Sequence, residues 1–87
     1  MQVEKTDEPL KVRADFGAGG TVSPLMLRRG ERVYRVRQVN GRWEDREGLY
    51  RLHYFSLTVD SGDVFQVVFR PGEATWRLTC VAMAEEG

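Results

Sequence analysis

Apolar and polar residues alternate with a period of two through most of this chain. In LKVRADF, Leu10, Val12, Ala14 and Phe16 share one face and Lys11, Arg13 and Asp15 the other, which is the period of a half-buried strand. Residues 31–39 alternate again, with Tyr34, Val36 and Gln38 opposed to Val33, Arg35, Arg37 and Val39, so Arg35 and Arg37 face solvent together. In LYRLHYFSLTV the parity changes: Tyr50, Leu52 and Tyr54 share one face, Phe55, Leu57 and Val59 the other. Such a change calls for a bulge, a bend or a change of sheet. TWRLTCVAM alternates once more, with Trp76, Leu78, Cys80 and Ala82 inward and Val81 and Met83 on the opposite parity.

Turn residues separate these runs. Gly17, Gly19 and Gly20 read as a plain turn, because a phosphate loop needs a helix behind it and TVSPLMLRRG follows instead. Pro24 marks that segment as an edge strand or an extended stretch. Asn40-Gly41 predicts a two-residue hairpin, with Trp43 on a short return strand closed by Glu47-Gly48. Asp60-Ser61-Gly62 predicts a three-residue loop that sets Leu57 opposite Phe65, Phe55 opposite Val67 and His53 opposite Phe69. Pro71-Gly72 marks the next reversal. No window holds a helical period. The expectation is an all-β domain over residues 10–83: a small, strongly bent antiparallel sheet, or an SH3-like or OB-like barrel, of about six strands with no substantial helix. Residues 1–9 read as a flexible lead-in and residues 84–87 as a flexible tail.

At 87 residues there is room for one core only, and 41% hydrophobic with 30% charged residues excludes a disordered chain. The single Cys80 excludes an internal disulfide and reads as a buried thiol. Residues 1–8 are polar and acidic rather than a signal peptide, and no apolar run is long enough to span a membrane, so a cytoplasmic protein is expected. The 13 basic and 13 acidic side chains cancel, but they are segregated. Eight arginines and four acids lie between Arg28 and Arg51, while Glu4, Asp7, Glu8, Glu85 and Glu86 make the ends acidic.

The order of a lead strand, RGERVYRVRQV, Trp43, YRLHYFSLTV, DSGDVFQVVF and a last strand opening on Trp76 resembles a family of short uncharacterised bacterial β-domains. Its members occur alone or near genes for Y-family lesion-bypass DNA polymerases. The resemblance spans residues 10–83. It implies a small β fold and, through those neighbours, a link to nucleic acid; it brings no activity with it. Where that family often carries a Trp pair, this chain has Gly48, Leu49 and Tyr50.

Catalytic constellations are hard to assemble. His53 has no partners at metal-ligand spacing, the serines lack a nucleophile elbow, and Glu44, Asp45 and Glu47 read as a solvated turn. The expectation is a non-enzymatic protein without cofactor or metal. Aromatic side chains interleave with arginines in the middle of the chain, a combination that single-strand binding modules use for stacking and phosphate contact. Arg35, Arg37, Arg42, Trp43, Arg46 and Arg51 are therefore the candidate nucleic-acid-binding residues. Trp43 has two readings, a core filler, which the pattern favours, or an exposed stacking residue. The rival function is a protein-interaction or accessory domain that uses an exposed strand edge, such as the segment containing Pro24.

Overall fold

The computed structural model describes residues 2–84, and those residues form six antiparallel strands and no helix. The strands are β1 (Gln2–Phe16), β2 (Val22–Arg29), β3 (Arg32–Glu47), β4 (Tyr50–Val59), β5 (Val64–Arg70) and β6 (Thr75–Met83). Each pairs with the next, and β1 also pairs with β6, so the sheet bends round and closes on itself. The all-β, strongly bent architecture expected from the alternation is the one observed.

Two long strands make the closure. β1 pairs with β6 as far as Leu10 and with β2 from Lys11 onward, and β3 pairs with β2 as far as Arg35 and with β4 from Val36. Each crosses from one side of the ring to the other. The inward faces supply one core, in which Leu27, Leu57, Val59, Phe65, Val67 and Leu78 are buried. Tyr34 meets Phe65 edge to face at 4.8 Å, a favoured aromatic geometry.

The β4–β5 ladder has the expected register, with Leu57 opposite Phe65, Phe55 opposite Val67 and His53 opposite Phe69. Its loop is closed by Gly62 N–H donating to Val59 O at 2.9 Å and Val59 N–H to Asp63 O at 3.0 Å, with Gly62 at φ 90°. β4 nevertheless runs unbroken against β5 through its parity change. The first apolar set belongs to the outer face instead. Leu52 and Val68 are buried there, apart from the main core.

Four expectations are corrected. Residues 2–9, read as a flexible lead-in, are the first half of β1, laddered to β6 from Gln2 opposite Met83 to Pro9 opposite Arg77. They carry almost no apolar signal because ring closure needs their backbone groups rather than their side chains. Residues 85–87 of the expected tail lie outside the described residues.

Asn40-Gly41 is no hairpin. β3 continues through it, and neither residue has the positive φ that a type I′ turn requires. The register to β4 slips between Val36 and Gln38 and again between Val39 and Gly41. These are bulges, which accentuate a strand's bend and twist, and they turn Val39 inward against the core. The Asn40 side chain donates to Thr58 Oγ1 at 2.9 Å, so the local hydrogen bonding that suits Asn to turns here serves a bulge.

Another slip, facing Gln66 and Val67, reverses the end of β6. Val81 is therefore buried opposite Phe65, while Cys80 and Ala82 are only half-buried. Finally, Trp43 lies outside the core. It is 42% exposed and stacks on Tyr54 at 5.5 Å with an interplanar angle of 6°.

Candidate nucleic-acid interface

From Gly41 to Glu47, β3 pairs only with β4, and the two strands form a ribbon that closes at Gly48 (φ 59°) and Leu49. Leu49 at the tip is 99% exposed. Alternation divides the ribbon into two faces. Trp43, Asp45 and Glu47 lie opposite Tyr54, Leu52 and Tyr50 on the outer face, and Arg42, Glu44 and Arg46 lie opposite Phe55, His53 and Arg51 on the inner one.

The outer face is a packing face. The Tyr50 ring lies so close to Gly72 that a Cβ there would come within 2.6 Å of it. Arg70 Nη1 reaches both Glu47 oxygens, at 3.1 and 3.2 Å. Those bonds outweigh the desolvation of the guanidinium and raise its pKa above the ordinary value.

On the inner face, Arg42 Nη1 donates to Val22 O at 2.8 Å, and its guanidinium sits 5.7 Å from the centre of the Phe55 ring. Glu44 lies 3.6 Å from His53 Nδ1 and 3.8 Å from Arg51 Nη1. Behind His53, rings run outward from the core: Phe55 to Trp76 at 5.7 Å, Trp76 to Phe69 at 4.7 Å, and Phe69 edge-on to Phe16 at 5.9 Å. Phe16 has inward parity but stands at the mouth of the ring, 61% exposed. A cleft of about 370 Å³ opens between the turn residues Gly19, Gly20 and Thr21 and the ribbon residues Arg42, Trp43, Glu44 and His53.

Of the six candidate residues, the structure brings Arg42, Arg46 and Arg51 onto this inner face. Trp43 is on the opposite face. Arg35 and Arg37 lie toward the other end of β3, where Arg37 Nη2 donates to Asp60 O at 2.9 Å. Nine residues of strand separate Arg37 from Arg46, roughly 30 Å at about 3.3 Å each. Phe16 and Phe69 were not among the candidates, since alternation marked Phe16 only as inward. The available clue was its place as the last residue before the glycine break.

The acidic N-terminal segment does not cover these arginines. Glu4 and Glu8 both bind Arg29, and Asp7 binds Arg77. Burial disfavours the Arg29 charge, but the two carboxylates outweigh it and its pKa is raised. Among the described residues, the guanidinium groups of Arg42 and Arg46 pair with no carboxylate, and that of Arg51 meets only Glu44, at 3.8 Å; the Arg46 backbone N–H donates to Asp45 Oδ1 at 2.8 Å. Nor, among these residues, do three or more His, Cys, Asp or Glu side chains converge.

Comparison with protein families, with characterised proteins and with solved structures finds no match.

Proposed function

We propose that this protein is a non-catalytic binding module that holds single-stranded nucleic acid on the inner face of the β3–β4 ribbon. One observation carries the reading: Arg42, Arg46 and Arg51, almost free of carboxylate partners, share a face with a series of aromatic rings that ends at exposed Phe16. Phosphates lie against the arginines, whose charge no pH in the physiological range removes. An unpaired base stacks on Phe16, an interaction worth about 1–3 kcal/mol. A duplex keeps its bases stacked within the helix and has none to offer Phe16, which is why single strands are the favoured ligand.

The test is an NMR titration of the labelled protein with a short mixed-sequence DNA strand, and separately with its duplex, at low and physiological salt. Shifts are expected at Phe16, Arg42, Arg46, Arg51 and His53, stronger for the single strand. Three phosphate contacts give a log–log salt slope of about −2, at about 0.7 per contact. An unchanged spectrum at low salt overturns the reading.

A second mode, pairing through a strand edge, is favoured by one observation. β2 pairs with β3 only from Met26 to Arg29, so residues 22–25 and residues 38–47 each leave one edge without a ladder partner.

A further inference from the structure

We infer that the open edge of β3 is a self-association surface, and that its occupant is the same edge of a second copy, paired antiparallel about a two-fold axis at Trp43. The inference rests on the strand-edge reading and names its partner. Unpaired backbone N–H and C=O groups along residues 38–47 are a ready template for another strand. On this stretch the charges are ordered, Arg42 before Glu44 and Asp45, and an order of that kind complements itself when reversed.

A two-fold axis perpendicular to the sheet keeps each face with its like, so a residue can oppose only residues of its own parity. Centred on Trp43, the pairing sets Arg42 opposite the second copy's Glu44, Glu44 opposite the second copy's Arg42, and Asn40 opposite the second copy's Arg46. Moving the centre one residue either way sets Arg42 against itself or Glu44 against itself, which opposes like charges directly. Charge therefore favours this register over both of its neighbours. Arg42 is held by the Val22 carbonyl oxygen and the Phe55 ring but by no acid, and Glu44 makes only longer contacts, at 3.6 and 3.8 Å, so both have capacity for a new partner. Trp43, 42% exposed, falls on the axis, where burial against its counterpart adds apolar area. The contact uses the same patch on both copies and closes as a dimer. It also joins two inner faces into one basic surface.

Sedimentation equilibrium of the whole chain, up to millimolar concentration, tests this. The wild type is expected to form a reversible dimer. Arg42→Glu and Glu44→Arg each place like charges across the axis and should weaken the dimer at least about tenfold. An equimolar mixture of the two variants restores two opposite-charge pairs and should dimerise like the wild type. Amide spectra of each variant show whether it is folded, since both changes lie on the exposed ribbon. A wild type that stays monomeric, or a mixture that dimerises no better than its components, overturns the inference. Hydrogen exchange in the monomer separates this from failure of the edge reading itself. Fast exchange at alternate amides of residues 38–47 leaves the edge open to some other strand, whereas uniform protection removes the edge altogether.

Discussion

β1 and β3 are the two longest strands, and each crosses the ring and leaves a length of edge without a ladder partner. They treat that edge differently. Along residues 2–9, β1 carries Glu4, Lys5, Asp7, Glu8 and Pro9, with three of the four charges of its acids and bases locked onto Arg29 and Arg77. Charge and proline are the usual means of making an edge unattractive to other strands. Along residues 38–47, β3 is as densely charged, with Arg42, Glu44, Asp45, Arg46 and Glu47, but it carries no proline, and Arg42 satisfies a carbonyl rather than an acid. One edge is guarded and the other is open. In a domain with a single core, the open edge and the arginine face beside it are where binding can be added without disturbing the fold.

Both edges hang from the same core, and the largest expected effect tests that. Phe65 is 1% exposed and meets Tyr34 of β3 across the ring at 4.8 Å, so Phe65→Ala should cost about 3–5 kcal/mol in denaturant unfolding. One cooperative transition should remain, with both edges lost together; separate transitions for β1 and the ribbon would break the comparison. Next in size is Gly48→Ala. A side chain at φ 59° costs about 1–2 kcal/mol, and the loss should be confined to amides of the ribbon tip, leaving the β1–β6 ladder intact.

The two tryptophans sharpen the contrast further. Trp76 is 8% exposed within the core, while Trp43 is 42% exposed and held by one stacked ring. Trp76→Ala should cost about 3–5 kcal/mol. Trp43→Ala should cost about 0.5–1.5 kcal/mol, the worth of an aromatic pair. Equal losses from the two changes would return Trp43 to the core.

What was legible in the chain follows the same division. Where apolar pairs and a specific turn coincide, as at Asp60-Ser61-Gly62 between Leu57 and Phe65, the register could be read in full. The meeting of Arg42 and Arg46 with Arg51 on one face was not legible, since it depends on the β3–β4 pairing and not on spacing. What could not be read depends on single inserted residues or on long-range charge. A bulge costs one residue and leaves no apolar trace, so Asn40 was mistaken for a hairpin and the inward residue of β6 was taken as Cys80 rather than Val81. The pairing of residues 2–9 with β6 is closed by backbone groups and by ion pairs to residues more than twenty positions away, such as Glu8 with Arg29. Alternation carries no record of either.

The smallest effect concerns the guard on β1. Arg29 and its two carboxylates are each partly exposed, at 29%, 45% and 34% of their side-chain surface, so solvent screens the pairs and each contributes only about 0–1 kcal/mol. Replacing Glu4 and Glu8 together by Gln should therefore lower stability by no more than about 2 kcal/mol at low salt. The difference from wild type should shrink as salt is raised. The backbone of β1 stays laddered to β6 in both proteins, so amide exchange along that ladder should change little. A loss well beyond about 2 kcal/mol, or one that ignores salt, would mean that these acids hold the ring closed rather than merely guard its edge. The guarded strand would then be a structural clasp, and the contrast with β3 would lie in packing instead of protection.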